Sequence, residues 1–197
     1  MLTVKYLPGL SRPIKLSAFG RIVLAIIATV GWQGFTVAQT RDHLTDPETE
    51  LIRFHQELDK RIDVFIKAID RRFAIINGTA QPATKKLMKD EPDWGELPKG
   101  TRAELIGDVA GILDEAITNI DDVNRRDEKN PLIPRATRKL TAAANNYVNQ
   151  LTALSKQTKD DDELSAIERA LDNANQIIEV GSKLPEPVAD KKKKKKG

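Results

Sequence analysis

Few side chains in this chain have the type and spacing needed for chemistry. There are two histidines, His43 and His55, and no cysteine. Disulfides, thiolate metal sites, a cysteine nucleophile and haem attached through C-x-x-C-H are therefore excluded. No His-x-x-x-His, Glu-x-x-His or Gly-x-Ser-x-Gly pattern occurs, so no metallopeptidase, di-metal carboxylate or serine-hydrolase template is met. No catalytic residue and no metal site is expected. His55 is the better placed imidazole. At 100° per residue it falls within about 20° of the apolar axis of its expected helix, with Asp59 one turn on. That pair is the candidate for cofactor binding, although a core histidine satisfied internally is the preferred reading.

Three further features are suited to contact. Trp94 stands in a long proline-bearing loop with Leu97 nearby, either as a plug folded back on the body or as a partner anchor. Gly107-x-x-x-Gly111 lies inside an expected helix, where each glycine costs nearly 1 kcal/mol relative to alanine. Both glycines point about 160° away from that helix's apolar axis. They give a smooth outward stripe that a loop of the same chain, a protein partner or a second subunit could approach closely. Lys191, Lys192, Lys193, Lys194, Lys195 and Lys196 form a run without interleaved aromatics. Sequence-specific nucleic-acid binding is not indicated; an anionic envelope surface is the better match. The acids Asp121-Asp122 and Asp160-Asp161-Asp162 are expected to be caps and solvated faces.

The elements that position these residues are helical throughout. Asp46 as N-cap and Pro47 at the first helical position open a first helix of about 30 residues, over 47–77, with Gly78 as its stop. Leu51, Leu58, Ile62, Phe65, Ile69, Phe73 and Ile76 share one face of it. The capping box Thr101-x-x-Glu104 opens a second helix over 101–125. A third over 134–157 follows Pro131 and Pro134. A fourth over 161–180 starts near Asp160-x-x-Glu163, carries Leu164, Ile167, Leu171, Ala174 and Ile178, and stops at Gly181. The expected fold is all-α, an antiparallel up-down-up-down four-helix bundle with coiled-coil-like seams and a long loop at 78–100. In architecture this resembles the periplasmic four-helix cytochromes. Their haem-attachment motif is absent, and Met88, the one methionine after residue 38, lies in the loop. No cofactor is expected.

Ahead of the helices, Lys5, Arg12, Lys15 and Arg21 precede an apolar run, Ile22 to Val30, and Thr36-Val37-Ala38 supplies a small-x-small cleavage site. Residues 1–38 are expected to be a signal peptide, with the chain exported to the periplasm or secreted; an uncleaved membrane anchor is the alternative. Removing them takes four basic and no acidic residues from 32 and 29, leaving 28 against 29. Removing Lys191–Lys196 as well leaves 22 against 29, a net charge of −7. An acidic body with a disordered cationic tail over 182–197 results. The expected role is a non-enzymatic structural or interaction one in the cell envelope, with a small-ligand or metal/haem-binding bundle using His55 as the alternative.

Overall fold

The chain's described residues are 41–81 and 92–185 of a computed structural model, and all regular structure among them is helical. The expected signal peptide, Met88 and Lys191–Lys196 lie outside them. The five helices are α1 (Asp46–Phe54), α2 (Leu58–Ile76), α3 (Arg102–Arg126), α4 (Leu132–Ser155) and α5 (Asp161–Ser182). None of them is long and apolar enough to cross a membrane.

The first expected helix is two helices. Its N-cap is Thr45, one residue before Asp46, because Thr45-x-x-Glu48 closes a capping box. Thr45 Oγ1 accepts from the Glu48 backbone N–H, and Glu48 Oε2 accepts from the Thr45 backbone N–H. The helix then ends at Phe54. His55 and Glu57 adopt extended backbone (ψ 108° and 131°), and α2 starts at Leu58. A long-range contact explains the interruption. Glu48 lies 2.7 Å from Arg71, whereas on one continuous helix residues 23 apart would stand roughly 35 Å from each other. The chain must fold back between them, and α1 packs against α2. The C-terminus of α2 is a Schellman motif: Gly78, at φ +68°, donates to Ile75 C=O and Thr79 to Ala74 C=O.

The other caps follow the sequence closely. Thr101 and Glu104 make both bonds of their capping box, and Asp160 accepts from the Glu163 N–H at 2.9 Å. Pro134 sits in the first turn of α4, where a missing N–H leaves no bond unmade. Gly181 differs from expectation. The helix runs through it to Ser182, and an added Cβ would collide with Thr141 of α4. This glycine serves close packing of two helices instead of a stop.

Helix α2 packs against α3 and α4, α5 packs against the same two, and α3 and α4 touch only lightly. Apolar side chains fill the space between them: Ile62, Phe65 and Ile69 from α2, Ile106, Val109 and Leu113 from α3, Leu140, Tyr147 and Leu151 from α4. Helix α5 contributes Ala166, Ala170 and Ala174 together with Ile167 and Ile177, and leaves Leu164 36% exposed. Its buried face is thus rotated from the expected leucine stripe toward alanines, whose small side chains let α5 approach both neighbours closely. Ion pairs also tie the helices together: Lys139 of α4 to Asp63 of α2, and Arg102 of α3 to Glu163 of α5.

Candidate functional site

The densest constellation of charged groups is buried, where α1, α2, α3 and the segment before α1 meet. Glu48 at the third position of α1 is 0% exposed, and Arg72 of α2 is 1% exposed. One carboxylate oxygen, Glu48 Oε1, accepts from Arg71 Nη1 at 2.7 Å and from Arg72 Nη1 at 2.6 Å. Its other oxygen closes the α1 capping box, so both acceptors of this buried group are used. The helix α2 places its two arginines on either side of Glu48, and each reaches a different part of the chain. Arg72 Nη2 donates to His43 C=O at 2.7 Å. Arg71 donates to the carbonyls of Trp94, Gly95 and Glu96. Charge-assisted bonds of this kind are about twice as strong as neutral ones.

On α3, Asp108 completes the hub. It lies 2.8 Å from Arg41 and 3.6 Å from Arg72. Arg41 also pairs with Glu104 at 3.2 Å, and His43 with Glu115 at 2.8 Å. Residues 41–45 therefore form a strap laid along α3. Burial pushes the Asp108 carboxyl up to about 6, overriding the opposing pull of Arg41, Arg72 and His43. The His43 imidazole is also raised, chiefly by its hydrogen bond to Glu115, with burial working the other way.

The candidate residues fall into place around this hub with several corrections. Trp94 is buried, 3% exposed, with Lys67 Nζ 4.6 Å and Arg71 Cζ 5.4 Å from its ring centroid. In this conformation it plugs the body and offers no anchor on the surface. Its indole N–H has no hydrogen-bond partner among the described residues. Gly111 does not face outward into open space, because the His43 ring covers it and an added Cβ would lie 2.8 Å from His43 Cγ. Gly107 is freer; an added Cβ would meet the Arg169 guanidinium tip at 3.9 Å. The outward stripe is thus partly filled by the chain's own strap.

His55 and Asp59, the candidate cofactor-binding pair, lie in different surroundings. His55 is buried at the break between α1 and α2, edge-on to Phe54. Asp59 is spoken for by α4: Arg135 Nε lies 3.0 Å and Lys139 Nζ 3.4 Å from its Oδ2. No group of three or more histidines and acids among the described residues is arranged to hold a metal ion. A half-open apolar pocket of about 70 Å³ lies among Ile117, Ile120, Leu140, Ile177 and Val180. Drug-sized ligands occupy cavities of roughly 300–1,000 Å³, so this one is far too small for them. Asp121 lines that pocket, Asp122 pairs with Arg125, and Asp160 caps α5.

Chemically, the hub binds chain segments to one another. Its carboxylates face guanidinium groups, and its guanidinium groups face carboxylates and backbone carbonyls. The sequence carried a sign of it. Leu58, Ile62, Phe65, Ile69, Arg72 and Ile76 follow spacings of 4, 3, 4, 3 and 4, which puts Arg72 on a core position of α2. Asp108 stands three residues after Leu105 and four before Ile112, in the same relation to the core of α3. Comparison with protein-family models, with curated proteins and with solved structures finds no match.

Proposed function

We propose that the chain is an exported, non-enzymatic protein with a structural or interaction role in the cell envelope, its α2 to α5 running up-down-up-down as an antiparallel four-helix bundle. In this reading residues 1–38 are removed on export and Lys191–Lys196 contact an anionic surface. The observation that carries it is the division of charge. The body's buried charges are spent inside it, in the Glu48–Arg71–Arg72–Asp108 hub and the Asp59–Arg135–Lys139 cluster, while the six consecutive lysines have no acid among them. A cationic run contributes on the order of 1 kcal/mol per lysine near an anionic membrane, screened by salt. An apolar interior and internally matched charges favour a scaffold over a reaction site.

Co-sedimentation with vesicles containing anionic phospholipid tests the surface role. Binding at low salt should fall steeply at about 0.5 M salt and on deletion of Lys191–Lys196. Adhesion that survives the deletion unchanged would reject it. N-terminal sequencing of the exported protein tests the address, with Gln39 as the expected first residue.

A further inference from the structure

We propose that Glu48 is a latch joining the strap 41–45 to the loop at Trp94–Glu96, so that displacing the strap uncovers Trp94. The two segments lie about fifty residues apart in sequence and meet through one oxygen atom. Arg72, held by Glu48 Oε1, fixes the strap through His43 C=O. Arg71, held by the same oxygen, fixes three successive carbonyls of the loop. A direct contact backs this link: Gly95 lies so close to Pro47 of α1 that an added Cβ would stand 2.5 Å from the proline Cγ. Moving the strap and α1 takes Glu48 and Pro47 away together. Arg72 then keeps Asp108 at 3.6 Å, while the buried Arg71 guanidinium loses the carboxylate it pairs with, a state costly enough that Arg71 turns to solvent and releases the loop.

The element has the build of a detachable clasp. Among the described helices α1 packs only on α2, and it is separated from α2 by the non-helical residues 55–57, extended at His55 and Glu57. Trp94 is suited to be what the clasp hides. Its ring is held by two cations, while its N–H lacks a partner among the described residues. A buried donor without an acceptor favours any state that hydrates it or pairs it with another protein. Released, Trp94 is an amphipathic aromatic of the kind that dominates interface energetics. The inference rests on the interaction role proposed above only for its purpose; the latch itself is intramolecular.

The test uses the full chain with Trp32→Phe, which leaves Trp94 as the sole tryptophan. Hydrogen exchange is followed over residues 42–46 and 94–96, and Trp94 is probed by acrylamide quenching, in Glu48→Gln and separately in Gly111→Leu. The second variant pushes His43 off α3 and leaves every buried charge in place. Both segments should accelerate together by about tenfold or more in each variant, and Trp94 quenching should at least about double, with α4 and α5 core amides at wild-type rates. The proposal is overturned if the strap accelerates while 94–96 and Trp94 stay at wild-type values. It is equally overturned if neither segment responds, or if all helices loosen alike. Loss of vesicle binding moves none of these readouts, so the two readings fail separately.

Discussion

Replacing Asp108 by asparagine removes one buried charge and keeps its shape. The carboxyl is almost wholly buried between Arg41 and Arg72, and burial moves its pKa from 3.8 to about 6. A folded-state value above the unfolded one means that the native protein binds the proton more tightly. The stability this group contributes is therefore complete below the unfolded value and is lost as pH rises through about 6. A shift of roughly two units, at about 1.4 kcal/mol per unit, amounts to about 3 kcal/mol. The D108N variant has no such titration. It should gain on the wild type by about 3 kcal/mol between about pH 4 and about pH 7.5, whatever constant offset the lost ion pairs introduce. Urea unfolding followed by helical circular dichroism at closely spaced pH values reads this difference from the midpoints and from m, which is about 1–3 kcal/mol/M for small proteins. A wild-type-minus-variant curve that is flat over that range refutes burial as the dominant cause. A slope of opposite sign would mean that Arg41 and Arg72 outweigh it.

Four other substitutions probe the same network and its surroundings. Glu48→Gln leaves two buried guanidinium groups short of charge and should cost about 3–5 kcal/mol, a fall in Tm of roughly 10 °C; a loss under about 1 kcal/mol by calorimetry contradicts the hub's burial. His43→Gln should lower stability below the raised imidazole pKa and have no effect above it, since the imidazolium–Glu115 pair exists only in acid. Both partners are about a third exposed, so the loss stays under about 1 kcal/mol; a loss that grows with rising pH reverses the sign and disproves the pairing. Gly107→Ala should stabilise by up to about 1 kcal/mol, because the added methyl meets little and the helix gains propensity. Gly181→Ala should destabilise by about 1–3 kcal/mol, because Thr141 stands in the way. Equal effects at the two glycines, measured by urea midpoints, would contradict the packing described between α4 and α5.

The helices were legible in the sequence because the signals that make them are local. Thr101-x-x-Glu104 and Asp160-x-x-Glu163 place α3 and α5 to within a residue or two, since caps act within one turn. The same rule reaches Thr45-x-x-Glu48, yet Asp46-Pro47 offers a competing cap one residue later. Thr45 prevails since its box satisfies two backbone N–H groups reciprocally. The buried face of α5 was harder to place. Leu164, Leu171 and Ile178 outrank its alanines in hydrophobicity, but what faces α3 and α4 is decided by how near the backbones come. Periodicity alone carries no information about that distance. Gly181 misleads for a related reason: a glycine at the end of an apolar stripe signals a stop in isolation, and only the position of Thr141 on another helix shows its use.

The break at 55–57 and the hub were hidden for one shared physical reason. Leu51 and Leu58 are seven residues apart, two helical turns, so the apolar stripe runs through the break without a fault. Nothing in residues 54–57 forbids a helix; there is neither glycine nor proline among them. What interrupts the helix is a requirement set far away. Arg71 and Arg72 sit at the buried end of α2, where two unpaired guanidinium groups would cost several kcal/mol each. Breaking one helix forgoes a few backbone hydrogen bonds, which net about 1 kcal/mol apiece. The comparison favours the break whenever a carboxylate can be brought to the arginines by it, and Glu48 is placed so that α1, folded back, delivers it. A charged residue at core spacing, as Arg72 is, therefore poses a question that its own helix cannot answer. Its partner must come from another segment, and the chain's path is bent to supply it.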